Sequence, residues 1–313
     1  MAALSDHLLA VTILVYLFAM LGYAMEAVGV VARAAERQLV PVGAPAAPPG
    51  DLGQKVSPGP HKMSKIAGRG AVALTVLGVL VHGATLVTRG LAADRVPWGN
   101  MYEFVVTVCF VGAAAWLVLL AARPAVRPLG LFVTLALVVL LGLAGMVLYA
   151  KVGPLVPALN SYWLKIHVSA AATASGILLM GFVLAVMTLL RTGYESGRRS
   201  FPFTLAARMP AAEGLERLTF RVHAFAFPIW TLAIMCGAIW AEAAWGRYWG
   251  WDPKETWSFI AWVIYAGYLH ARATPSVKRT TATWIAVLGW AAMTVNLYGV
   301  NLVISGLHSY AGV

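Results

Sequence analysis

Charge is scarce in this sequence: Asp, Glu, Lys and Arg make up 11% of 313 residues, hydrophobic residues make up 60%, and the mean hydropathy is +0.78. That scarcity excludes a water-soluble fold, in which about a quarter of residues are charged. Acidic residues are the fewest, 12 against 23 basic ones. Cysteine is nearly absent. Cys109 and Cys236 are the only two, and neither belongs to a C-x-x-C pair. They read as small apolar residues, which argues against thiol exchange run by this chain. No internal repeat of fixed period is evident, and no room is left for a separate soluble domain.

What the sequence has instead is long apolar runs. Eight of them, near 7–32, 66–88, 101–122, 129–150, 168–190, 220–241, 257–273 and 281–304, have the length of membrane spans. The fold expected is all-α, a polytopic membrane helix bundle of about eight transmembrane helices. The first run ends at Arg33 with no small-residue cleavage site, so it reads as a true first span. Residues 41–60, rich in Pro, Gly and Ala, read as a flexible linker. The expected division is 1–65, a first helix with its linker, and 66–313, a seven-helix core. Alternating the loops puts 17 Lys and Arg on one side and 6 on the other. The positive-inside rule makes the richer side cytoplasmic and puts both termini outside. The pI of about 9.9 is then topology, not a nucleic-acid footprint.

The outer loop before the seventh span, about 242–257, is the most distinctive segment. Residues 240–257 hold 5 tryptophans. Headgroup anchoring explains one or two, such as Trp240 and Trp257. It does not explain Trp245, Trp249 and Trp251 clustered with Gly246 and Gly250. Such a surface suits a large planar ligand lying on indole faces, with Arg247, Lys254 or the Asp252 and Glu255 pair at its polar edge. A porphyrin has that shape; a purely anchoring belt is the alternative.

Haem iron would need axial nitrogens. His167 precedes the fifth span and His308 follows the eighth, both on the outer side with the Trp-rich loop between them. Each alone could be an ordinary interfacial histidine. His270 lies inside the seventh span, where an ionisable residue points to function unless it snorkels beside Arg272. Thirteen residues beyond Trp257, it sits about 20 Å below the outer surface; His82, seven from Arg89, sits about 10 Å below it. That mismatch argues against their pairing on one iron, so an opposite ligand for His270 would come from another protein. His7, His61 and His223 look incidental. A second outer cluster, Pro97 to Phe104, has the Asn100 and Glu103 spacing of a helix capping box, or else supplies Asn100, Tyr102 and Glu103 to the rim of the outer site.

The run Trp245-Gly246-Arg247-Tyr248-Trp249-Gly250-Trp251-Asp252-Pro253-Lys254-Glu255 resembles the tryptophan-rich WWD signature of haem-handling cytochrome c biogenesis proteins. The similarity is greatest to the CcsA family, also called ResC and in some bacteria CcsB, of the system II pathway. It extends from about residue 66 onward. The resemblance implies a multi-pass bacterial plasma-membrane protein with its active surface outside. It implies a holocytochrome c synthase (haem lyase) component that carries haem b outward with a ResB-type membrane subunit. Its haem would be joined to a C-x-x-C-H motif of apocytochrome c, with a separate thiol-reducing pathway. It further implies His167 and His308 as axial ligands and His270 as an intramembrane haem ligand whose mate is the partner's. The platform would comprise Trp245, Gly246, Trp249, Trp251, Asp252 and Glu255. Alternatives are a haem exporter without ligation activity and a haem-containing membrane oxidoreductase, which would show paired histidines at matching depths.

Overall fold

The structure, a computed structural model, describes residues 1–39, 60–155, 157–304 and 306–308. The expected linker lies almost wholly outside the described residues. Every regular element among them is helical: α1 (Ala2–Leu39), α2 (Pro60–Ala93), α3 (Met101–Ala122), α4 (Gly130–Val147), α5 (Tyr162–Glu195), α6 (Ala212–Trp245), α7 (Pro253–Ala273), α8 (Arg279–Thr294) and α9 (Val300–Val303). Backbone polar groups have no water partner in hydrocarbon, and helices satisfy them internally. The threonines follow the same rule: Thr12, Thr75, Thr134, Thr188 and Thr219 each donate to the carbonyl four residues back.

Counting α8 to α9 as one continuous span, Arg279–Val303, seven helices among the described residues are long and apolar enough to cross a membrane. The exception is α7, the span expected at 257–273. It has the length, 21 residues or about 31 Å, but its Trp, Tyr, His and Arg residues lower its hydropathy. It packs beside α6 and α8 as a member of the bundle.

At the centre is α5, which packs on α3, α6 and α8. Its buried face is built of small residues, including Ala171, Ala172, Ala174, Ser175, Gly176 and Gly181. Such residues let backbones approach in a bilayer, where apolar contact alone does not favour protein over lipid. Gly176 requires this: an added Cβ would stand 2.7 Å from the Val108 carbonyl oxygen of α3. The pair α1 and α2 packs alongside, with α1 also on α4.

Helix ends follow local chemistry. Pro124 begins a 3-10 segment just beyond α3. Gly246 terminates α6 in the left-handed conformation at φ 70°. Asp252 and Pro253 start α7 as N-cap and first helical residue. Between α8 and α9, Val295–Gly299 forms a π-helical turn in which Val300 N–H donates to the carbonyl of Val295. The start of α1, the Trp-rich loop and His308 gather at one end of the bundle, the tryptophan end, where Asp6 accepts from Tyr149 and His308 meets Asp252.

Candidate functional site

The loop at the tryptophan end is shorter than expected, Gly246 to Asp252, because α6 runs to Trp245 and α7 starts at Pro253. Its two carboxylates organise the backbone. Asp252 accepts from Lys254 N at 3.2 Å, and Glu255 accepts from Asp252 N at 3.1 Å and Gly250 N at 2.8 Å, a capping box. Asp252 also accepts from Leu307 N at 2.6 Å and from His308 Nδ1 at 2.7 Å, which docks the segment after α9 onto the loop. Burial raises the Asp252 carboxyl, but the His308 bond, the Leu307 amide and the Lys254 amide together hold it below the ordinary carboxylate range.

Both outer histidines present the same pattern. His167 Nδ1 lies 2.8 Å from the Ala233 carbonyl oxygen of α6, which can only accept. The proton is therefore on Nδ1, and in the neutral ring the lone pair is on Nε2. A carboxylate does the same for His308. Hydrogen-bonding one ring nitrogen to a protein acceptor, so that the other is oriented and more basic, is the usual support of a metal-ligating histidine. Gly237 makes room for His167, since a Cβ there would come 2.7 Å from Cε1 and 2.8 Å from Nδ1.

Two indoles join the imidazoles. His167 stacks on Trp240 at 6.0 Å and 9°, while His308 meets Trp240 edge-on at 5.8 Å and Trp245 at 5.0 Å. The imidazole centres are thus no more than about 12 Å apart. All four rings line one recess, open at its mouth, with Trp98, Asn100, Met101, Phe104, Trp249, Lys254 and Glu255 among its other walls. Its lining, apolar with a few placed polar groups, has the character of a small-molecule site. Lys254 is half-buried, and its residual surface borders the recess; crowding by protein lowers its amine to about 7 despite the Asp252 charge nearby.

Several expected rim residues face elsewhere. Trp251 is 66% exposed at φ 58°, lies edge-on to Trp249 and Phe259, and does not line the recess. Gly246 and Asp252 stand behind it as helix cap and anchor. Asn100 lines the recess and caps α3, accepting from Glu103 N at 2.8 Å. Tyr102 and Glu103 point away: Tyr102 lies under the Arg89 guanidinium, and the Glu103 carboxylate binds Arg89 at 3.0 Å and Arg95 at 2.7 Å. His270 is exposed in the last turn of α7, about 27 Å along the helix from Asp252 by rise alone.

Trp240 is the chief residue that sequence reasoning missed, since it fitted an interfacial anchor. The signal was its spacing of three from Gly237, which puts both on one face of α6. His82 is enclosed by Tyr16, 3.3 Å from its Nδ1, and by Phe110. His223 bonds the Thr219 carbonyl at 2.8 Å and packs on Tyr265 and Tyr268.

Residues 98–308, the stretch that contains every part of the recess, match a family described as Cytochrome C assembly protein. Among similar proteins, the cytochrome c biogenesis protein CcsA of Guillardia theta is 32% identical over 252 residues, covering 75% of this chain and 83% of that one. The CcsA protein of Gloeobacter violaceus is 32% identical over 294 residues (78% and 86%), and that of Parasynechococcus marenigrum 34% over 269 (76% and 85%). This chain belongs to the CcsA family of cytochrome c assembly proteins, and its role lies in cytochrome c maturation.

Proposed function

We propose that the chain is a cytochrome c synthase subunit. It holds haem b between His167 and His308 at the outer face of a bacterial plasma membrane and presents it to the C-x-x-C-H segment of apocytochrome c. The observation that carries this reading is the matched pair of imidazoles, each with Nδ1 bound to a protein acceptor, beside Trp240 and Trp245 in one recess. A bare metal ion would ask for more ligands, and no group of three His, Cys, Asp or Glu suited to one occurs among the described residues. A porphyrin brings four nitrogens of its own and asks for two. The 17 to 6 division of basic residues supports the tryptophan end as the outer one.

The reaction supplied by haem is addition of a substrate thiol across a vinyl group: the S–H bond and the vinyl π bond break, an S–C bond and a C–H bond form, and nothing leaves. This chain's part is orientation. His167 and His308 fix the iron, the indoles cover the ring and exclude water, and the substrate histidine replaces one imidazole as the product departs. A ResB-type membrane subunit is the expected partner, with reduced thiols provided by a separate pathway. His270, exposed at the far end of α7, is free to face such a partner's histidine.

The test is expression with an apocytochrome bearing C-x-x-C-H, with and without a ResB-type subunit, followed by covalent haem staining and spectra of the purified chain. A six-coordinate bis-imidazole spectrum that is lost on His167→Ala and His308→Ala, together with stained cytochrome, supports the reading. Unchanged spectra in both variants refute the ligand assignment. Bound haem without stained product favours the exporter reading. A membrane oxidoreductase is less well supported, because His82 and His223 are enclosed by different helices rather than facing one another.

A further inference from the structure

The recess holds a basic side chain that forms no ion pair among the described residues. Among the described residues that line it, Lys254 is the one Lys or Arg. Its ammonium donates to Asn301 Oδ1 at 2.7 Å and approaches Met101 Sδ at 3.0 Å, both uncharged, and it forms no ion pair among the described residues. The two carboxylates of its own loop are committed elsewhere. Asp252 holds Leu307, His308 and the start of α7, and Glu255 holds the Gly250 and Asp252 amides. Arg247 does not supply charge here, because its guanidinium lies against Gly250 outside the recess.

The inner part of the same recess adds two donors. Ser175 Oγ on α5 and Trp230 Nε1 on α6 are buried, line the recess, and have no hydrogen-bond partner among the described residues. Ser175 stands eight residues inward of His167 and Trp230 seven inward of Gly237, about 10 to 12 Å along their helices. Buried polar groups without partners are rare in folded proteins, and donors that share a recess with a basic side chain are suited to a carboxylate. Haem carries two carboxylates on one edge and its reactive vinyl groups on others.

Resting on the haem reading above, we propose that Lys254, with Ser175 and Trp230 behind it, receives the propionate edge of haem. This is a positioning role. It seats the charged edge against one wall of the recess and thereby fixes where the vinyl carbons lie for an arriving peptide. Charge and shape then select a porphyrin with free carboxylates over a neutral one, and they fix which way round it sits before any thiol approaches.

The full chain in detergent is titrated with ferric haem b and with its dimethyl ester, in the native form and as Lys254→Met. Taking the ratio of the two affinities cancels the ester's greater partition into micelles. A charge-assisted contact predicts that this ratio falls about tenfold or more in the variant. An unchanged ratio, with the bis-imidazole spectrum intact, overturns the Lys254 assignment and leaves the haem site standing. Absence of that spectrum in the native chain overturns both. In case the variant does not fold, the native chain is also loaded with haem whose propionates are succinimidyl esters. Acylation found by mass spectrometry on the peptide containing Lys254 supports the proposal; acylation only elsewhere, or none, overturns it.

Discussion

Replacing Asp252 tests whether the loop serves the histidine or only the helix. Its Oδ1 accepts from Leu307 N, and its Oδ2 accepts from Lys254 N and His308 Nδ1. Asp252→Ala removes an N-cap worth about 1 kcal/mol. It also leaves the Leu307 amide and the His308 ring short of a partner, each at about 1 to 3 kcal/mol. These sums are not additive, and the segment after α9 can undock long before the bundle unfolds. Asp252→Asn is sharper, because Asn caps a helix as well as Asp does. It has one acceptor where Asp has two. If its oxygen serves Leu307, its NH2 faces the Lys254 amide, which weakens the cap, and faces His308, which forces Nδ1 to accept; the ring proton then moves to Nε2, where an iron held as proposed would need a lone pair. If the oxygen serves His308, two N–H groups oppose each other at Leu307. The assay is the optical spectrum of the haem-loaded variant beside its thermal melt. The expected outcome is a bundle that melts near the native temperature, a lost bis-imidazole spectrum, and partial restoration by added imidazole. A native spectrum at native haem affinity in Asp252→Asn would refute the reasoning.

Three further outcomes are expected. Gly237→Ala places a methyl 2.7 Å from His167 Cε1, so the ring must leave the Ala233 carbonyl; the haem spectrum should change as it does in His167→Ala, and a native spectrum would count against the His167 geometry. Glu103→Gln removes the shared countercharge of Arg89 and Arg95, whose partner carboxylate is fully buried, at a cost of about 3 kcal/mol or more. Thermal unfolding should come earlier while haem affinity per folded molecule holds, and an unshifted melt would argue against a structural role. The Lys254 amine, lowered to about 7 by burial, has a free-chain value near 10.4. Above pH 7 the unfolded chain binds more protons, so the ligand-free protein should gain stability as pH rises toward 10. A carboxylate restores the charged amine, so haem binding takes up a proton, and affinity relative to the dimethyl ester should be greatest below pH 7 and decline above it. A flat ratio from pH 6 to 9 would contradict this.

The membrane bundle was legible because apolar runs of span length have few other uses. The site was legible in part. His167, His308 and the Trp-rich loop could be gathered at one end by counting spans alone, and the structure joins them in one recess. Span counting carries no information about which way a helix face turns. So Trp240 passed for an anchor, although it stacks on His167, and Trp251 passed for platform, although its backbone at φ 58° sends the ring outside. Asp252 and Glu255 read as ligand contacts because their reciprocal use as a capping box depends on Pro253 starting α7 there. Tyr102 and Glu103 turn toward Arg89 and Arg95 and not into the recess that Asn100 and Phe104 line, and only the positions of those two arginines reveal it.

The π turn at Val295–Gly299 has a consequence for how the tail can vary. Such a turn is an α-helix carrying one surplus residue. Removing that residue would repair the hydrogen-bond ladder, and because five residues of a π turn advance and rotate about as much as four of an α-helix, the chain beyond would stay nearly in phase. Asn301 would remain beside Lys254, and His308 beside Asp252. A deletion within the unbroken α8 has no such slack: it would rotate everything beyond it by about 100° and draw it back by about 1.5 Å. The turn is therefore the one place in this last helix where the count can change by one without displacing the tail.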